Sequence, residues 1–274
     1  MYSRVYVEIT NICNMNCSFC HGHSRASRQM TEGEYAHILQ QLKGKTGYIY
    51  HHLMGEPLVH PLLPRFIEMA AQAGFKPMIT TKGTLLDRYG DAFLTKGLHK
   101  VNISVHSFEG DRPDAHRAYL QKIVEFAQKA KDTGIIICLR LWNKGCDDGR
   151  NDTVLQFLQE AFPEPWRENT RGYRIRECLF LEWGDRFAWP DQNAPLGSNQ
   201  VYCYGLQDHF GILSDGTVVP CCLDSDGVIA LGNVFREELS AILESPRAKA
   251  MVEGFRRRKV PEDLCRRCGY ARKF

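Results

Sequence analysis

The sequence has 274 residues, 43% hydrophobic and 24% charged, with a formal net charge of +3. That length buries a core without staples, and the ordinary composition excludes a disordered or low-complexity chain. No apolar run reaches the roughly 18 residues of a spanning helix, and the opening MYSRVYVEIT lacks a signal peptide's apolar core, so the expected place is the cytoplasm, with no membrane partner.

In chain order, β-branched and aromatic runs predict six strands: RVYVEIT (4–10), GYIYHHLM (47–54), KPMITT (76–81), KVNISV (100–105), GIIICLRLW (134–142) and RIRECLFLEW (174–183). Helical stretches lie between them. TEGEYAHILQQL opens with Thr31 and Glu34 at capping-box spacing, PLLPRFIEMAAQAG ends on Gly74, and HRAYLQKIVEFAQKAKDTG and TVLQFLQEAF continue the alternation. Strand–helix alternation with short connections implies an α/β fold of parallel strands, an open doubly wound sheet or a barrel. WPDQNAPLGSNQ (189–200) then reads as a linker, and the alternation stops. HFGILSDGTVVPCC predicts a hairpin turning at Asp215-Gly216, followed by helices in REELSAILES and PRAKAMVEGF.

Eleven cysteines in a chain with no export signal point to metal or redox chemistry rather than a disulfide framework. Cys13, Cys17 and Cys20 follow the first strand, at the end where parallel α/β folds collect their chemistry. The spacing C-x3-C-x2-C suits three corners of a [4Fe–4S] cubane, with the fourth iron open to a ligand that is not protein; a closed zinc site needs a fourth ligand.

The stretch CNMNCSFC, supplying Cys13, Cys17, Phe19 and Cys20, resembles the CX3CXΦC signature of the radical S-adenosylmethionine (radical SAM) enzymes. The resemblance implies a partial (β/α)6 TIM-like barrel over residues 1–183 whose cluster binds S-adenosylmethionine (SAM) and cleaves it to a 5′-deoxyadenosyl radical. MGEP (54–57) looks like that family's GGEP, with Gly55, Glu56 and Pro57 matching and Met54 replacing a glycine. It implies that Glu56 and the adjoining backbone hold the SAM amino group. TTKGTLL resembles TNGTLL with Lys82 in the asparagine place, ISVHS offers Ser104 to SAM, and LRLWN offers Arg140 to the SAM carboxylate. A zwitterion needs a carboxylate for its ammonium and a guanidinium for its carboxylate.

At the far end Cys203, Cys221, Cys265 and Cys268 make a complete four-thiolate set, for an iron–sulfur cluster or for a zinc ribbon. Their pattern resembles the SPASM/Twitch extension of radical SAM enzymes in its short form, a small β-hairpin-plus-helix domain with a single auxiliary [4Fe–4S] cluster. The expected domain spans residues 201–274, after a linker at 184–200. Cys222, beside a ligand, is expected to face the other side of its strand as a packed thiol; the sharper reading makes it a hydrogen-atom donor to a substrate radical. The tail from Phe255 to Phe274 carries Arg256, Arg257, Arg258, Lys259, Arg266, Arg267, Arg272 and Lys273, a solvated basic face or an RNA contact.

The expected activity is radical SAM oxidation, a dehydrogenation or crosslinking of a small molecule or peptide, with the auxiliary cluster taking an electron and with flavodoxin or ferredoxin as reducing partner. A peptide epimerase using Cys222, an RNA-modifying enzyme, and a zinc-stabilised nucleic-acid-binding protein are the rival readings.

Overall fold

The computed structural model describes residues 1–109, 112–147, 149–260 and 262–273, Lys273 by its backbone only, so Phe274 of the basic tail lies outside the described residues. The first half alternates as expected: β1 (Arg4–Val7), α1 (Glu32–Leu42), β2 (Tyr48–Tyr50), α2 (Leu63–Gln72), β3 (Lys76–Thr81), α3 (Leu86–Phe93), β4 (Lys100–Ser104), α4 (Pro113–Lys129), β5 (Ile136–Lys144) and α5 (Arg150–Ala161). The capping box at α1 forms, the Thr31 hydroxyl accepting from Glu34 N while the Glu34 carboxylate accepts from Thr31 N.

Three short strands follow, β6 (Arg167–Asn169), β7 (Gly172–Arg176) and β8 (Leu179–Asp185). The run 174–183 is therefore not one strand. Arg176 pairs with Leu179, so Glu177 and Cys178 form a two-residue hairpin, and Cys178 takes the left-handed backbone (φ 58°) such turns demand. β8 supplies the sixth parallel strand, next to β5, while β7 and β6 run antiparallel at that edge.

The C-terminal part carries β9 (His209–Ile212), β10 (Thr217–Val219), β11 (Gly232–Asn233), α6 (Leu239–Leu243), α7 (Pro246–Arg256) and α8 (Asp263–Arg266). The β9–β10 hairpin turns at Asp215-Gly216, with Gly216 at φ +87°. β9 lies parallel to β1, from Arg4↔His209 to Val7↔Ile212, so the hairpin extends the barrel sheet. The result is one open sheet in the order β11-β10-β9-β1-β2-β3-β4-β5-β8-β7-β6, the partial TIM-like barrel.

Alternation along β1 decides what faces where. Val5 and Val7 are fully buried in the core, against residues such as Ile49, Ile38 and Leu42, whereas Arg4 and Tyr6 line the lumen on the concave face. Each such aliphatic side chain stabilises the fold by roughly 1.5–3 kcal/mol. Glu8, next on the lumen side, is fully buried; it accepts from Arg25 Nη1 (2.8 Å) and Nη2 (2.7 Å), Met54 N (3.1 Å), and Ser214 N (3.1 Å) and Oγ (3.0 Å). This one carboxylate ties β1, the loop after β2 and the C-terminal hairpin together.

The stretch expected as a linker is packed. Gly269 N donates to Ala188 O (3.0 Å), Gly197 N to Arg266 O (3.1 Å) and Arg267 Nε to Ala194 O (2.7 Å), so the strap holds the terminal cysteine loop in place. Among the described residues, no helix is long and apolar enough to cross a membrane.

Candidate active site

The loop after β1 is stapled at its base. Thr10 Oγ1 donates to Arg28 O (3.1 Å) and accepts from Ile12 N (3.1 Å), while the Asn11 side chain donates to Ala26 O (2.8 Å) and accepts from Arg28 N (2.7 Å). The MGEP turn then locks onto it, with Glu56 N donating to Ile12 O (2.9 Å). Gly55 makes that approach possible: its φ is +75°, and a Cβ there would sit 2.6 Å from Thr10 O.

Glu56 is buried, and its carboxylate accepts from Leu58 N (3.1 Å), Thr81 Oγ1 (2.7 Å) and Lys82 N (2.9 Å). Burial raises its pKa, and these hydrogen bonds offset part of the rise. The side chain thus clamps the turn after β3 to the MGEP turn. Pro57, also buried, opens the short 3-10 turn Pro57–Val59.

Cys13, Cys17 and Cys20 are all free thiols in this loop, half-buried, buried and exposed respectively. Met15 N donates to Cys13 Sγ (3.4 Å), the Cys17 sulfur lies 3.7 Å from Ser107 O, and Cys20 N donates to Cys17 O (3.0 Å). Glu109 fixes the far side of the loop through Ser18 N (2.8 Å) and Ser18 Oγ (2.6 Å). Lys82 Nζ donates to Cys13 Sγ. Burial opposes that ammonium, yet Cys13, Cys17 and Glu56 leave its pKa above the ordinary lysine value.

Beside the loop opens a cavity of about 320 Å³ lined by Phe19, His106, Phe108, Trp142 and Arg186. Phe19 meets His106 at 5.1 Å between ring centroids, and the Arg186 guanidinium lies 5.9 Å from the Phe19 ring. Aromatic faces with polar edges suit a purine. Ser104, the last residue of β4, pairs in register with Arg140 in the middle of β5 but stands outside the walls of this cavity and the next.

The barrel lumen holds a larger cavity of about 580 Å³. Arg140 reaches into it, 4.0 Å from the Glu182 carboxylate and 4.4 Å from the Trp142 ring, with its Nε buried and without a hydrogen-bond partner. His52 packs edge-on to Tyr6 and Tyr50, and burial together with Arg140 pushes it down to about 3, so it is neutral. Cys203, Cys221, Cys222, Cys265 and Cys268 also line this cavity. Cys222 therefore faces the same cavity as Cys221 and not a separate packed side; burial pushes it up to about 11, offset by a hydrogen bond with Tyr6.

Cys203, Cys221, Cys265 and Cys268 sit within electrostatic reach of one another, and three of them carry backbone donors. Tyr204 N and Gly205 N point at the Cys203 sulfur, Leu223 N at Cys221, and Tyr270 N and Ala271 N at Cys268. Amides aimed at sulfur stabilise thiolates over thiols, which is what an iron–sulfur centre requires. Among the described residues no three His, Cys, Asp or Glu side chains stand at single-ion distance; a cubane takes each thiolate on a different iron. Both donor sets fit iron–sulfur clusters.

The profile of the radical SAM superfamily matches residues 7–143. The chain belongs to the radical SAM superfamily. A second profile, the SPASM iron–sulfur cluster-binding domain, matches residues 203–269. The radical SAM fold recurs in a solved structure, BtrN with AdoMet and 2-DOIA, at TM-score 0.63 and 18% identity, covering 98% of this chain and 93% of that one. A probable GTP 3′,8-cyclase of Pyrobaculum aerophilum is 26% identical over 87% of this chain and 90% of its own length. The GTP 3′,8-cyclase of Chlorobaculum tepidum is 31% identical, but over 39% of this chain and 34% of its own. This radical SAM protein is an enzyme whose cofactors are SAM and two [4Fe–4S] clusters, one in each matched region.

Two features escape a reading by motif, Glu8 and Arg25, which hold the neighbours of the Cys13–Cys20 loop; Lys82, visible in the sequence as a departure from the TNGTLL pattern, contacts the loop itself. A lone glutamate in the apolar run YVEIT signals a buried charge in need of a partner, and a lysine where the family has asparagine signals altered electrostatics.

Proposed function

We propose that this enzyme abstracts a hydrogen atom from a small polar substrate held in the lumen and oxidises it by two electrons. Cys13, Cys17 and Cys20 hold the SAM-binding cluster; Cys203, Cys221, Cys265 and Cys268 hold the auxiliary one. Reduced by one electron from a cytosolic flavodoxin or ferredoxin, the first cluster with SAM supplies a 5′-deoxyadenosyl radical. Phe19 and His106 flank the adenosine, Arg140 with Ser104 beside it takes the SAM carboxylate, and Gly55, Glu56 and Pro57 fix the backbone that meets the amino group.

The observation that carries this reading is the shared cavity: Arg140 and Trp142 line it together with the four cysteines. A substrate seated there lies against both the residue assigned to the SAM carboxylate and the thiolates assigned to an electron acceptor. The test is anaerobic incubation of the reduced, iron-loaded enzyme with SAM and small-molecule fractions of a cell extract. The expected product is two hydrogens lighter than its substrate, with about one 5′-deoxyadenosine formed per product; 5′-deoxyadenosine with no such mass loss removes the oxidation.

Two observations favour second readings. Arg4, Lys100, Arg140 and Arg171 line the cavity, and the relatives are named GTP 3′,8-cyclases, so a mass-neutral rearrangement of a nucleotide is tested with GTP. Cys222 faces the substrate space beside Tyr6, as a hydrogen donor in a peptide epimerase would; Cys222→Ala should then stop product while abstraction continues. The basic tail supports no RNA reading of its own. Arg257 pairs with Glu253, Arg266 and Arg267 with Asp263, and Arg258 lies 5.9 Å from the Tyr202 ring.

A further inference from the structure

We infer that Lys82 raises the reduction potential of the SAM-binding cluster by holding a fixed positive charge against the Cys13 sulfur. The inference rests on the reading that Cys13, Cys17 and Cys20 hold that cluster.

Lys82 is the residue where this chain departs from the TNGTLL pattern. Its placement is not loose. Lys82 N donates to Glu56 (2.9 Å), the Tyr119 hydroxyl donates to Lys82 O (2.6 Å), and the next residue is tied by Gly83 N to Thr81 Oγ1 (3.0 Å). With its backbone clamped on both sides, the side chain donates to the Cys13 sulfur, with Cys17 within electrostatic reach.

Among the described residues Met15 N also donates to the Cys13 sulfur, at 3.4 Å. Lys82 therefore supplies a full cation there, part-buried where solvent screens it little. A cluster gains one negative charge on reduction. Hydrogen bonds to its sulfurs and net charge nearby are among the factors that set its potential, so an ammonium on one thiolate favours the reduced state. Glu56, whose carboxylate accepts from Lys82 N, Thr81 Oγ1 and Leu58 N, is the opposing charge that acts on the ammonium, while Glu109 is turned to Ser18 by two hydrogen bonds. An enzyme of this kind spends its electron on SAM and must regain it from a one-electron donor; a higher potential widens the set of donors able to do so.

The test is an anaerobic redox titration of the full iron-loaded chain, followed by electron paramagnetic resonance, without SAM. Lys82→Gln keeps reach and hydrogen bonding but not charge; Lys82→Arg keeps charge. The expected result is about tenfold less reduced first cluster in Lys82→Gln at a fixed poise, about 59 mV for one electron, with Lys82→Arg close to wild type. The auxiliary cluster, on its own four cysteines, is the internal control and should not move.

A loaded Lys82→Gln with the wild-type potential overturns the inference alone. So does an equal shift in Lys82→Arg, which assigns the effect to packing, and so does loss of iron from the first site in Lys82→Gln, which assigns Lys82 to assembly. A wild-type chain with no cluster in its first loop overturns the parent reading and this one together.

Discussion

Replacing Gly55 by alanine should separate the cluster loop from the scaffold that shapes it. At φ +75° any side chain is strained by about 1–2 kcal/mol, and the new Cβ would lie 2.6 Å from Thr10 O, 2.8 Å from Asn11 C and 2.9 Å from Asn11 Cα. All three are backbone atoms of the stapled loop base, so no side chain can swing away to relieve the contact. The combined cost is about 3 kcal/mol, a fall in Tm of about 6 °C for a chain of this size. Gly74→Ala is the control: its φ is +86°, but a Cβ there meets nothing within 4 Å, so it carries the conformational strain without the clash. Scanning calorimetry and iron analysis read the difference. Gly55→Ala should lose more stability than Gly74→Ala and about half of its iron, the share of the first cluster. Equal Tm and full iron in both variants would refute the claim that the MGEP turn shapes the cysteine loop.

Arg25→Ala leaves Glu8 buried with no cation, which should cost about 3–5 kcal/mol in urea unfolding; Arg25→Ala with Glu8→Gln should recover part of it, and an additive loss would contradict the pairing. His51 is buried neutral, its Nδ1 donating to Met78 O (3.2 Å) and its Nε2 accepting from Tyr35, and burial pushes it down to about 4. The folded state thus binds fewer protons than the unfolded one below about pH 6.5, so stability should fall by up to about 3 kcal/mol as pH drops from there towards 4. His51→Gln should lessen that slope of the Tm-against-pH curve, which buried His52 shares, and an unchanged slope would remove His51 as a source. Cys268→Ala should remove the auxiliary cluster's absorbance while SAM cleavage to 5′-deoxyadenosine persists; loss of both would show that the two sites load together.

How far the sequence carried depended on whether a feature is local. Cys13, Cys17, Phe19 and Cys20 lie on one loop, and the α1 capping box and Asp215-Gly216 turn are set by neighbours in sequence, so spacing alone predicts them. Features that depend on who packs against whom were not legible. Glu56 reads as a SAM contact by motif, but its carboxylate is already occupied by Thr81 and Lys82 from a different strand's end. Cys222 reads as packed away by strand alternation, yet β10 ends at Val219, so the two-sided rule no longer governs it. The pairing of β9 with β1 joins residues two hundred positions apart, and only the buried Glu8 hints at it. RIRECLFLEW satisfies strand propensity throughout, so its hairpin was invisible without the back-pairing of Arg176 and Leu179.

The central claim, a SAM-cleaving cluster on Cys13, Cys17 and Cys20 and a closed cluster on the four C-terminal cysteines, is tested most directly by anaerobic reconstitution with iron and sulfide. The account predicts about eight irons per chain, and formation of 5′-deoxyadenosine from SAM on reduction that vanishes, with about four of those irons, in Cys13→Ala/Cys17→Ala/Cys20→Ala. Zinc without iron in the purified chain, or cleavage of SAM that survives the triple replacement, would contradict it.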